Sequence, residues 1–180
     1  MDSYLILLKM KKQFMKLMRV DLNDINISIY KRIGMKIGGG CRIFSPINTG
    51  EPYLIEIGDN VTISTHVNLI THDNSAIKII DDATDFVGKV TISSNCFIGS
   101  GAIILPGVKI GPNNIVAAGS VVTKSFEASG IIIGGNPACN IGTIEELRYK
   151  NKDKGFDFRK CGYTQKKQVI LSNSNRWLVK

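Results

Sequence analysis

Only two histidines occur among the 180 residues, His66 and His72. His72 is followed directly by Asp73 in the stretch LITHDNSAIKII, residues 69–80. A neutral imidazole near pH 7 can take the proton of a hydroxyl as its oxygen attacks a carbonyl, so His72 is a candidate general base. Asp73 has three readings: it orients the imidazole, it faces an acceptor, or it makes a turn, for which Asp-Asn-Ser is good chemistry. Two histidines are too few for a three-histidine zinc site, and Asp81, Asp82 and Asp85 read as a solvated loop, so no metal is expected. Cys41, Cys96, Cys139 and Cys161 form no C-x-x-C pair, which fits free thiols in a reducing cytosol.

The element that must position His72 is a repeat. Ile92, Ile98, Ile104, Ile110, Val116 and Val122 follow one another at intervals of six. Four residues after the first five come Cys96, Ala102, Val108, Asn114 and Ser120, small or β-branched apart from Asn114. Ile57, Val61, Ile63, Val67 and Leu69 keep the same rule earlier, and Ile37, Cys41 and Ile43 form a partial copy. A period of six is neither helical nor a simple strand alternation. It suits a short strand and a turn, three of which make one turn of a triangular coil that stacks into a parallel β-helix. The aliphatics point inward, the smaller residues fill the curving wall, and Cys41 and Cys96 gain a structural explanation. The rhythm breaks between Leu69 and Ile92, 23 residues apart and one short of four hexads. The chain is therefore expected to leave the coil after Leu69, make an excursion through Asp81–Asp85 and rejoin near Val90. His66, one hexad before His72, reads as an exposed rung residue.

Composition agrees with repetitive β structure. The chain is 43% hydrophobic, has few aromatics and carries 18 glycines. Its net charge of +8 is uneven: residues 1–36 carry +5, residues 37–142 carry −3 and residues 143–180 carry +6. Basic flanks around an acidic body argue against a nucleic-acid binder. They leave open attraction to phosphates or to an anionic membrane surface. No signal peptide or membrane-length apolar run occurs. Phe14, Leu17 and Met18 are spaced for a short amphipathic helix. TIEELRY, from Thr143, has N-cap and capping-box residues for a helix, and past Lys150 no periodicity survives. The expected organisation is an N-terminal segment over 1–32, a repeat domain over 33–142, and a C-terminal helix and basic tail over 143–180.

IEIGDNVTIS, THD, ILPGVKIGPNNIVAAGSVVTK and GGNPA occur in this order, and together they resemble the hexapeptide-repeat acyltransferases, among them sugar and capsular-polysaccharide O-acetyltransferases. The resemblance runs from about residue 33 to 145. It implies an all-β fold, a left-handed parallel β-helix, assembled as a homotrimer with acetyl-CoA held between subunits. It places the base on His72, with Asp73 beside it. Ser100, Ala118, Thr123 and Lys124 fall on CoA-contact positions of the family, and Pro137 falls in the turn that packs near the adenine. The small Ala118 suits a close pantetheine, and Lys124 suits a CoA phosphate. Two departures stand out: Cys139 replaces a basic residue common after GNPA, and SFEASG at 125–130 lacks a common proline.

The expected activity is acetyl transfer from acetyl-CoA to a hydroxyl of a sugar or polysaccharide precursor. The expected location is the cytoplasm, with peripheral contact at the inner membrane face an option. The alternatives are N-acetylation of an amino sugar or nucleotide sugar, O-acetylation of serine, and a non-catalytic trimeric binding or scaffold protein. The absence of a long N-terminal helical domain argues against serine.

Overall fold

The structure is a computed structural model and describes residues 22–178. The helix anticipated from Phe14, Leu17 and Met18 lies outside the described residues. Helix α1 (Leu22–Arg32) comes first among the described residues. Asn23 pins it to the first coil, donating from Nδ2 to the Cys41 carbonyl at 2.9 Å and accepting the Ile43 N–H at 2.7 Å.

From Lys36 to Val122 the hexads become strands of two or three residues in three sheets, paired in parallel and visited in rotation. The first sheet holds Lys36–Ile37, Ile55–Ile57, Val90–Ile92 and Lys109–Ile110. The second begins with Arg42–Ile43, Thr62–Ile63, Phe97–Ile98 and Ile115–Val116. It ends with Ile131–Gly135 and Ala138–Thr143. The third holds Asn68–Leu69, Ile103–Ile104 and Val121–Val122. The register stacks like on like: Ile57 on Ile92 on Ile110, Ile63 on Ile98 on Val116, and Leu69 on Ile104 on Val122. A strand this short cannot bury its inward side chain without the coils above and below it. Stacked, Ile92, Ile98, Ile104, Ile110, Val116 and Val122 are all fully buried. Each such side chain contributes about 1.5–3 kcal/mol of burial.

Turning from one sheet to the next takes a left-handed backbone residue. Asn60, Asn95 and Asn113 supply it at one corner, with φ of 54°, 61° and 57°. Their side chains form a ladder, Asn60 to Asn95 at 3.4 Å and Asn95 to Asn113 at 3.3 Å. Asparagine tolerates this conformation better than other residues with a side chain. At the next corner the same role falls to His66 (φ 58°), Gly101 and Gly119. His66 is thus a corner residue, and its backbone conformation accounts for its place. Asn114, the exception among the small inward residues, is buried with both ends of its amide used: Nδ2 donates to Ala128 O at 2.7 Å, and Oδ1 accepts Ile131 N–H at 2.9 Å.

The coils are not all equal. Ile92 to Ile110 and Ile104 to Val122 are 18 residues, three hexads. Ile37 to Ile57 and Ile43 to Ile63 are 20, and Ile57 to Ile92 is 35. The longest return contains the excursion. The chain leaves after Ile70, whose N–H still bonds the Ile104 carbonyl at 2.9 Å. His72–Asp73 then pairs antiparallel with Phe86–Val87, making a neck, and a 3-10 turn over Asn74–Lys78 follows directly. Gly88 N–H bonds the Thr71 carbonyl at 2.8 Å, and the chain rejoins the first sheet at Val90.

The chain divides into two compact units after Ile141. In the second unit, α2 (Ile144–Asn151) starts on a complete capping box of Thr143 and Glu146. A further helix, α3 (Tyr163–Ser172), carries the Ile170 carbonyl that accepts the Trp177 indole N–H at 3.0 Å. No helix among the described residues is long and apolar enough to cross a membrane. Shortening Ile104 to Ala removes the middle of the Leu69–Ile104–Val122 column. It is expected to cost about 2–5 kcal/mol of stability, read from the denaturant midpoint; a cost below about 1 kcal/mol would contradict the stacked core.

Candidate active site

Two irregularities of the coil meet at one place. The two extra residues of the first turn lie between Ile43 and Ile57, the segment that carries Glu51. One turn later the excursion departs at Thr71 and His72. The coil thus brings Glu51 beside the neck of the loop, and its carboxylate Oε2 lies 2.8 Å from His72 Nδ1. The same oxygen accepts the Thr71 hydroxyl at 2.6 Å. The Thr49 hydroxyl contacts that of Thr71 at 2.5 Å and accepts the Glu51 N–H at 3.2 Å.

These contacts set the electrostatics. The Thr71 hydroxyl, and after it the His72 ring, hold the Glu51 carboxyl below its ordinary value. Glu51 in turn raises His72 above the ordinary imidazole value, first by the hydrogen bond and then by its charge; the carboxylates of Asp85 and Asp73 add to the effect. An imidazole bound through Nδ1 keeps its other nitrogen for a different partner. The His72 side chain is 43% exposed, and that of Glu51 is 23% exposed. The ring lies at the rim of a cleft of about 230 Å³, which Asn48, Asn68, Ile70 and Ile103 also line. The site can therefore admit a polar molecule with an apolar side and offer it a base.

Asp73, named with His72 as a catalytic candidate, has its carboxylate engaged elsewhere. It caps the 3-10 turn, accepting the Ser75 N–H at 2.9 Å, and that bond lowers its pKa. The residue bonded to the imidazole is Glu51, which sequence reasoning did not single out. A signal for it existed. The 20-residue spacing of Ile37 from Ile57 and Ile43 from Ile63, applied to Thr71, leads back to Glu51.

Four of the other candidates occupy two edges of the third sheet. Ser100 and Ala118 lie at the leading corner, where Gly119 N–H bonds the Ser100 carbonyl at 2.9 Å. The Ser100 hydroxyl pairs with that of Ser64 at 2.7 Å. Thr123 and Lys124 follow Val121–Val122 on the trailing edge, the edge that carries His72, two coils further along. Two coil spacings amount to about 10 Å. Both side chains are exposed, and the Lys124 ammonium is 5.8 Å from the Phe126 ring centroid. Pro137 is exposed in the turn between the last two strands of the second sheet. Cys139 beside it is exposed and brings no cation. None of these five touches His72. Among the described residues, no cluster of three His, Cys, Asp or Glu could hold a metal ion.

A family model described as "Bacterial transferase hexapeptide (six repeats)" matches residues 89–124. The chain is 40% identical over 168 residues to Protein CapG of Staphylococcus aureus, covering 91% of this chain and 95% of that protein. It is 31% identical over 134 residues to the galactoside O-acetyltransferase of Escherichia coli K12, covering 73% of this chain and 63% of that one. Among solved structures, it resembles a maltose O-acetyltransferase from Clostridium difficile 630, with 26% identity and a TM-score of 0.53, over 79% of this chain and 89% of that one. These matches agree with the repeat in the fold and with the resemblance of its motifs. The chain belongs to the hexapeptide-repeat acyltransferase family.

Proposed function

We propose that the protein transfers the acetyl group of acetyl-CoA to a hydroxyl of a sugar or polysaccharide precursor, with His72 as general base. The carrying observation is the bond from Glu51 to His72, whose imidazole helps line a cleft. The E. coli and C. difficile relatives, a galactoside and a maltose O-acetyltransferase, support a sugar hydroxyl as acceptor. The family supports left-handed winding of the coil and a homotrimer with the acyl donor between subunits.

The chemistry follows from the geometry. His72 Nε2 takes the proton of the acceptor hydroxyl as its oxygen attacks the thioester carbonyl. Glu51 stabilises the imidazolium that results, and the proton then passes to the sulfur as the carbon–sulfur bond breaks. Ser100, Ala118, Thr123, Lys124 and Pro137 are the proposed CoA contacts. Lys124 supplies a mobile cation for a phosphate, and Ser100 and Ala118 supply a small, polar corner for the pantetheine arm. Asp73 shapes the loop that borders the acceptor.

Release of CoA from acetyl-CoA, measured against a panel of saccharides, nucleotide amino sugars and serine, tests the acceptor class. Turnover with saccharide hydroxyls is expected, and a preference for amines or serine would contradict it. His72→Ala should lose about 10²–10⁴-fold in kcat while still binding acetyl-CoA, and undiminished turnover in that variant would remove His72 from the role. The base form of His72 is lost as pH falls through its raised pKa. The acid limb of kcat/KM should therefore have its midpoint above the ordinary imidazole value of 6.5. Glu51→Gln removes the charge that holds the imidazolium and should move that midpoint down; an unmoved limb would show that another group titrates.

A further inference from the structure

We propose that Thr49 and Thr71 are positioning residues of the His72 base: with Glu51 they close a hydrogen-bond ring that anchors the carboxylate holding the imidazole in its Nδ1–H tautomer. The inference rests on His72 being the base, and it concerns two hydroxyls to which the repeat assigns no task. Thr71 is 1% exposed, so its hydroxyl must find partners inside the protein.

A hydroxyl has one proton to give, and that rule orders the ring. Thr71 donates to Glu51 Oε2 at 2.6 Å. Its contact with Thr49 at 2.5 Å must then run the other way, with Thr49 donating and Thr71 accepting. Thr49 is left to accept, and it does so from the backbone N–H of Glu51 at 3.2 Å. The path begins at the N–H of Glu51, passes through Thr49 and Thr71, and ends at the carboxylate of Glu51. Bonds that all run in one direction polarise one another, so the ring strengthens as it closes. Its effect is to tie the Glu51 side chain to its own backbone.

His72 meets the end of that path. Oε2 already accepts from Thr71 and lies 2.8 Å from His72 Nδ1. An ionised carboxylate oxygen can only accept, so at that distance it requires a proton on Nδ1, and the ring keeps the oxygen there. The free lone pair of the imidazole then belongs to Nε2. Thr71 also receives the returning loop through its carbonyl, which bonds Gly88 N–H at 2.8 Å. The residue that closes the neck is thus the one that holds the base's partner in place. A valine at either position would fill similar space and could not carry the ring.

The test uses Thr71→Val and Thr49→Val in the full chain, each checked for native circular dichroism. ¹⁵N shifts of the His72 imidazole, recorded without substrates above its pKa, report the tautomer. The wild type is expected to show Nδ1–H and the valine variants a mixture of the two neutral forms. In the acetyl-transfer assay, kcat should fall about tenfold or more with the acetyl-CoA KM little changed, and Thr71→Ser should restore it. Should Thr71→Val fail to fold, the half-buried Thr49 reads the same ring. An unchanged His72 tautomer in the folded valine variants overturns the proposal, whatever happens to kcat. The tautomer readout needs no turnover, so the ring can stand or fall separately from the acetyl-transfer reading.

Discussion

Registry between coils is the constraint on which the rest of this structure depends. Each two-residue strand buries one aliphatic side chain, and only its equivalents one coil away can cover it. The Leu69–Ile104–Val122 column, like its two counterparts, tolerates no slip, because a shift of one residue would turn the aliphatics outward. Extra residues must therefore be expelled at corners. They are expelled twice at neighbouring places: two between Ile43 and Ile57, and the longer excursion after Thr71. The rigid part of the fold and its irregular part are consequences of the same packing rule.

That rule also places the polar chemistry. A carboxylate and an imidazole could not sit inside the stack without disrupting it. At the departing corner they can cluster, because the backbone there has left the wall while the coils on either side keep its ends fixed. Glu51 and His72 come from successive turns, so their separation is set by the stacking of strands and not by a flexible loop. The bond to Glu51 raises the pKa of His72, while the Thr71 hydroxyl first and the His72 ring second lower that of Glu51.

Much of this was legible in the sequence. Spacing six positions apart identified the inward aliphatics from Ile92 to Val122. The small inward residues explained Cys41 and Cys96, and the phase break drew attention to His72. Glu51 was harder to see because its bond to His72 spans 21 residues and its segment carries no repeat of its own. Only the unequal length of the first turn points to it. Asp73 drew attention by adjacency, yet neighbours in a strand point to opposite sides, and its carboxylate caps the turn that follows. Helix α3 escaped notice because no residue in it is buried, so it lacks the apolar period that announces a packed helix. His66 was read as an exposed rung residue; it is exposed, and its left-handed backbone places it at a corner.

The central claim is that Glu51 acts through His72, and a double-mutant cycle on kcat addresses it most directly. Glu51→Ala should slow acetyl transfer in the wild-type background and have no further effect in a His72→Ala background. Equal losses in the two backgrounds would show that Glu51 and His72 work independently, and would contradict the account.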